Sequence, residues 1–194
     1  MRRVGGHGDR PWWAQLGGAE ASSLVEFAVA LPLLVVLVVG IFDFGGAFNQ
    51  KQELNNAARE GARFGASQPA NDLCTGCTAP PSVDAIRYLV DSYLTAAKVN
   101  DCGLGAVAVP TTGPPWEYDA SGNGCAGTLK LKIDRGVAVP ETVGGVTVNL
   151  LCTLVSISYP YQWHFNKVIQ LIVPGATYAS VTQIQTDATA ANMN

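Results

Sequence analysis

Residues 27–42 form an uncharged, strongly apolar run that opens at Phe27 and ends at Gly40-Ile41-Phe42, with Glu26 before it and Asp43 after it. As a helix rising 1.5 Å per residue, this run extends ~24 Å, somewhat short of the ~30 Å hydrocarbon core of a bilayer. Extending it back to Ser22 brings it close to a full span but takes in Glu26. Arg2, Arg3 and Arg10 precede the run, opposed only by Asp9 and Glu20. The positive-inside bias therefore keeps the N-terminus in the cytoplasm and sends the rest of the chain across. Three readings compete: a cleaved secretory signal, a plain signal anchor, and a prepilin-type leader cut on the cytoplasmic side. Phe42-Asp43-Phe44 blocks a clean small-x-small site after the run, which disfavours the first.

Glu26 separates the other two. A carboxylate at mid-bilayer costs up to ~3 kcal/mol, less near the interface. A plain anchor gains nothing from that cost, apart from an acid at the helix start. If the chain is cut between Ala21 and Ser22, the new α-amino group, of pKa ~8, is cationic at neutral pH. Glu26 then lies one turn from an ammonium, its own or that of a neighbouring subunit, in a medium where pairing counts.

Residues 22–66 carry a set of motifs: Val25-Glu26-Phe27, an apolar helix with an early Pro32, then Asp43-Phe44-Gly45, then Asn56-Ala57-Ala58-Arg59-Glu60-Gly61-Ala62-Arg63. This segment resembles the TadE-like family of the tight-adherence (Tad) pilus system. Ala21 stands where Gly usually precedes the cut, Asp43 replaces the commoner Glu, and Gly46 replaces a usual Arg. The resemblance implies a type IV pilin-like α+β fold: a prepilin-type leader over 1–21, a transmembrane and emergent helix over 22–66, and an extracytoplasmic domain over 67–194. It also implies cleavage by a prepilin peptidase at Ala21/Ser22 and work with other pilin and pseudopilin subunits and the inner-membrane assembly platform. Glu26 would recruit the subunit by charge, with Phe27 and the apolar run supplying packing. The alternative is a signal-anchored extracytoplasmic binding domain that enters no fibre. Pro32 removes a backbone hydrogen bond and predicts a kink.

Beyond the membrane the helical pattern continues to Ala66. Ala57, Ala58, Gly61, Ala62 and Gly65 form a ridge of small residues, a seam for close approach to the chain's own domain or to a neighbour. Ser82 is expected to cap a second helix whose stripe runs Ile86, Leu89, Val90, Tyr93, Leu94, Ala97 and ends near Asn100. Four strands of a mostly antiparallel sheet are expected at 104–110, 128–134, 146–159 and 176–186. In the second, Leu129, Leu131 and Ile133 face inward and Lys130 and Lys132 outward. In the third, a phase shift between Leu154 and Val155 predicts a bulge. Between the last two strands, the tract from Tyr159 through Trp163 and His164 to Phe165 leads into Val168, Ile169, Leu171 and Ile172 at helical spacing. That tract reads as a lid on the sheet or as a surface for a partner subunit.

Charged residues make up 14% of the chain, against ~25% in an ordinary soluble domain. Residues 67–194 hold six Lys/Arg and nine Asp/Glu, which leaves no basic patch for nucleic acid. The five cysteines, at 74, 77, 102, 125 and 152, all follow the apolar run, as expected for an oxidising compartment. Their spacing leaves connectivity open. Cys74–Cys77 with Cys102–Cys125 is one possible set, leaving Cys152 buried in a strand. Cys74-x-x-Cys77 follows no strand and opens no helix directly, which argues against a redox pair, and no second close pair completes a zinc site. His7 and His164 have no partner at a catalytic spacing. No cofactor is implied, and the expected role is structural, not enzymatic.

Overall fold

The computed structural model describes residues 19–164, 170, 175 and 181–193. The arginine-rich head and the apolar tract around Val168 and Ile172 lie outside the described residues, as does the expected start of the last strand at Ala176. A helix of 49 residues, α1 (Ala19–Ser67), runs without a break in assignment through Pro32. A second helix, α2 (Pro81–Ala96), and a sheet of β1 (Trp116–Ala120), β2 (Leu129–Val143), β3 (Val146–Gln162) and β4 (Val181–Ala191) complete an α+β fold. The strand order is β1-β2-β3-β4, and every neighbouring pair is antiparallel.

The inner face of the sheet follows from period-2 alternation. Leu129, Leu131 and Ile133 of β2 are buried, as are Val155, Ile157 and Tyr159 of β3. Lys130 and Lys132 stand outside, paired with Asp119 at 3.4 Å and Glu117 at 3.9 Å on β1. Against this face lies one stripe of α1: Leu54, Ala57, Ala58, Gly61, Ala62, Gly65 and Ala66, all buried at helical spacing. α2 packs beside it through Val83, Ile86, Val90 and Leu94. The first half of α1 touches little of this core, and most of its large apolar side chains, from Leu24 and Val25 to Ile41 and Phe42, are exposed, with Val36 and Val39 half-buried.

Small residues let the helix come this close. A Cβ built on Gly61 would lie 3.1 Å from Val90 Cγ2, and one on Gly65 would lie 2.7 Å from Ile86 Cδ1 and 2.8 Å from Thr153 Cγ2. The ridge thus meets the chain's own domain. β3 runs opposite to α1, so that Thr153 meets Gly65 while Tyr161 lies beside Gly46. The far end of α1 is closed by the C-terminal segment, where Met193 N–H donates to Ala66 O at 3.1 Å. Beyond that end β2 and β3 continue as a two-stranded arm, because β1 stops opposite Ile133 and β4 stops opposite Cys152. Its tip is Gly144-Gly145, at φ of 59° and 84°, the positive values that a two-residue hairpin turn requires.

Several elements differ from their sequence-based expectation. Residues 104–110 are not a strand. Leu104–Ala106 is a 3-10 helix, because α2 side chains take its backbone: Arg87 Nη1 donates to the carbonyls of Leu104 and Gly105 at 2.8 and 2.7 Å, and Asp91 Oδ1 accepts from Gly105 N at 3.1 Å. The first strand is instead Trp116–Ala120. Ser82 does not cap α2. The N-cap is Pro80, and Ser82 Oγ accepts from Arg135. Tyr93 is exposed and Ala97 lies past the helix, so the buried stripe is narrower than its spacing implied. No irregularity falls between Leu154 and Val155, where pairing with β4 is continuous. The register shift lies in β2, between Asp134 and Val137. That extra residue aims buried Arg135 across the α1–α2 loop, where it donates to Gln68 O at 2.7 Å and Pro69 O at 3.2 Å. β3 extends through Gln162, so residues 159–162 belong to the strand, and β4 reaches Ala191 rather than ending at Thr186.

Gly65 tests the seam. Alanine there gains ~1 kcal/mol of helix propensity, whereas overpacking costs about 1–3 kcal/mol. The clash should win, because Thr153 is held by its 2.7 Å hydrogen bond to Asn192 and cannot yield freely. Gly65→Ala should lower the melting temperature of the detergent-solubilised protein by several degrees. Gly45→Ala, with nothing within 4 Å of its Cβ, should not lower it. Equal melting of the two variants would show that the seam is looser than described.

Candidate functional site

The place where α1 leaves its exposed apolar half and enters the core is Asp43. It is the first residue of the buried stripe, followed at helical spacing by half-buried Ala47 and Gln50 and then by Leu54. A carboxylate there is stable only if hydrogen-bonded. The end of β3 supplies the donors. Tyr161 Oη lies 3.2 Å from Asp43 Oδ1 and 3.1 Å from Asp43 O, and His164 Nδ1 lies 3.2 Å from the same Oδ1. Asp43 is only 6% exposed, whereas the His164 side chain is 78% exposed, so the carboxylate is covered and the imidazole forms the outer wall.

Aromatic rings frame this foot of the domain. Trp163 meets Phe44 edge-on at 5.2 Å and Tyr161 at 5.0 Å. Trp163 Nε1 donates to Thr182 Oγ1 at 2.7 Å, which fixes the indole on β4. Gly46 makes room for the phenol, since a Cβ there would lie 3.1 Å from Tyr161 Oη. Burial, reinforced by the Asp43 carboxylate, pushes the Tyr161 phenol above its ordinary value. The hydroxyl therefore remains a donor at neutral pH. A raised folded-state value means that this stabilisation is complete below the unfolded-state pKa of ~10 and is lost as pH rises through the folded value.

At the other end of the apolar run, Ser22 Oγ donates to Glu26 Oε1 at 3.4 Å on the exposed surface of α1. Ser22 and Glu26 are thus neighbours one turn apart, with Phe27 exposed beside them. Ala21 lies within α1. Pro32 sits among exposed residues of the same helix. Ala58, Gly61, Ala62 and Gly65 are buried against the domain and are not available to another chain in this conformation. The structure contains disulfides Cys74–Cys77 and Cys102–Cys125, and Cys152 is free and buried. Cys102–Cys125 ties the end of the α2 region to the β1–β2 loop, next to the hydrogen bond from Gly122 N to Cys102 O at 2.7 Å.

The foot was only partly visible in sequence. Asp43-Phe44-Gly45 is visible as a motif, and the tract from Tyr159 to Phe165 as a lid on the sheet or a surface for a partner subunit. What joins them is the antiparallel run of β3 along α1, which brings together residues 118 positions apart. The alternation of β3 is the signal that could have found it, since Tyr161 continues the inward phase of Val155, Ile157 and Tyr159.

Residues 21–63 match the family model of TadE-like proteins. The match spans the apolar half of α1 and its entry into the core, Asp43 included. No curated protein and no solved structure matches the chain.

Tyr161→Phe leaves the Asp43 carboxylate buried with a donor missing, at a cost of about 1–3 kcal/mol. Hydrogen–deuterium exchange should quicken over residues 43–50 and 159–164. Adding Asp43→Leu should cost less than the sum of the two single changes, because they act on one contact. Unchanged exchange in Tyr161→Phe would mean that the foot is held by other groups.

Proposed function

We propose that this chain is a minor pilin or pseudopilin of a Tad pilus system. It inserts in the cytoplasmic membrane through the first half of α1, with residues 1–21 as a leader on the cytoplasmic side and residues 67–194 outside. A prepilin peptidase cuts between Ala21 and Ser22. The trimmed subunit then joins, or primes, a fibre through its apolar helix together with other pilin and pseudopilin subunits and the inner-membrane assembly platform.

The observation that carries this reading is the pairing of a TadE-like segment with a helix whose first half is apolar and unburied. One helix of the described residues, Ser22–Ser67, is long and apolar enough to cross a bilayer. Most of the apolar surface of its first half is exposed among the described residues, which suits cover by a bilayer or by like helices. The two disulfides and the low surface charge fit an extracytoplasmic domain. Glu26 supports the cleavage step. Its carboxylate lies one turn from Ser22, where cutting would create an ammonium. In a fibre the same carboxylate can meet the amine of the next subunit.

The mature N-terminus is the direct test. Protein recovered from cells assembling pili should begin at Ser22. A chain that still begins at Met1 or Arg2 would instead be a signal-anchored binding domain. Glu26→Gln should insert normally, since it lowers the cost of burial, but should stop pilus assembly. Wild-type piliation in that variant would remove Glu26 from recruitment.

A further inference from the structure

The apolar run between Glu26 and Asp43 is ~6 Å shorter than the hydrocarbon core it must cross. One end must therefore give way. Extension toward Ser22 takes in Glu26, whose carboxylate is exposed with a hydroxyl at 3.4 Å. Extension the other way takes in Asp43, which the foot of the domain has already covered and hydrogen-bonded. Beyond it, Phe44-Gly45-Gly46-Ala47-Phe48-Asn49-Gln50 carries no charge until Lys51. Phe44 and Phe48, one turn apart, are both well exposed. Counted from Phe27 to Phe48, the span is ~33 Å, which matches a bilayer.

We propose that the foot of the domain is a lipid-docking surface: Phe44, Phe48, Trp163 and His164 sit in the interfacial zone of the outer leaflet, where acyl chains meet headgroups, and the membrane boundary lies near Lys51 rather than at Phe42. This inference rests on the reading that α1 spans a membrane. The chemistry of the patch fits the interfacial zone. Trp163 offers an indole on an aromatic cluster, the arrangement favoured where acyl chains meet headgroups. His164 presents its imidazole outward. The Lys51 stem can lie along the acyl boundary and raise its ammonium to a phosphate. Asp43 can descend to this depth because Tyr161 descends with it. The domain therefore rests on the bilayer with a fixed face down, and does not swing above it on a free stalk.

Depth-dependent quenching tests this on the full chain in phosphatidylethanolamine–phosphatidylglycerol nanodiscs, using lipids brominated either near the headgroup or near the bilayer centre. The background is Trp12→Phe/Trp13→Phe, leaving Trp116 and Trp163. Trp116 is buried against the Cys77 loop, at the end of the domain away from the foot, and acts as an internal reference. Shallow bromines should reduce the Trp163 contribution about twofold or more, and deep bromines should reduce it less. Adding Trp163→Phe should abolish the quenching. A separate variant with Leu34→Trp and Trp163→Phe reports the span and should be quenched most by deep bromines. If Leu34→Trp is quenched and Trp163 is not, the docked foot is refuted and the span survives. In that case, protection of Trp163 from aqueous acrylamide that grows with protein concentration would assign the patch to a second copy of the chain. Stronger quenching of Trp163 by deep than by shallow bromines would also overturn the interfacial placement. If Leu34→Trp is not quenched, the spanning reading itself fails, and the inference with it.

Discussion

One face of α1, from Asp43 to Ala66, carries the whole domain. The sheet has a single apolar side, and that side is filled by the helix and by α2 packed next to it. Remove the helix and Val155, Ile157 and Tyr159 face water along most of β3. The same helix is mostly exposed before Asp43, with only Val36, Val39 and Gly40 half-buried among residues 22–42. A continuous rod is thus an exposed apolar helix long enough to cross a bilayer and then a core element in succession. The change of environment takes place at one carboxylate.

The other buried charges follow the same rule and sit at the other corners of the core. Arg87 of α2 is pinned by Asp84 at 2.7 Å and by the carbonyls of Leu104 and Gly105. Arg135 is pinned by the carbonyls of the α1–α2 loop, with Asp72 at 3.6 Å, and burial pulls its pKa down. Each of these side chains ties a loop to a regular element through backbone oxygens, so each fixes geometry that apolar contact alone would leave free. This is how a domain with so few charges uses them. Arg87 and Arg135 are buried as clamps, and Lys130 and Lys132 pair across the outer face of the sheet.

Much of this was legible in the sequence. The apolar run, the alternation of Leu129, Leu131 and Ile133, and the stripe from Ile86 to Leu94 all repeat at the period of their element, and periodicity survives folding. The small-residue ridge announced close approach, but its partner could be named only once β3 was seen lying along it. Residues 104–110 read as a strand because they are apolar, yet their backbone is claimed by Arg87 and Asp91, side chains on a helix whose position no local pattern encodes. The bulge misled for a related reason. The even-numbered apolar residues Val146, Val148 and Leu150 lie on the projecting arm, outside the core. The change of phase in β3 therefore marks where the arm meets the domain, and the extra residue sits on the partner strand at Arg135. Tyr161 was hidden by its own proline, since Tyr159-Pro160-Tyr161 looks like the end of a strand. Pro160 is in fact tolerated inside β3, opposite Gln183.

The two acids that bracket the apolar run solve one electrostatic problem in opposite ways. Asp43 lies within a folded domain and receives its donors from the same chain, so its cost is met on folding and it needs no second molecule. Glu26 lies on bare helix, with a hydroxyl at 3.4 Å and no domain above it. On the proposed function, a cation from outside the folded domain would complete its stabilisation, either a new terminus at Ser22 or one on another subunit. An acid that satisfies itself can anchor a domain but cannot choose a partner. The exposed acid is thus open to a partner, and the buried one is not. The helix between them extends ~24 Å without a charge.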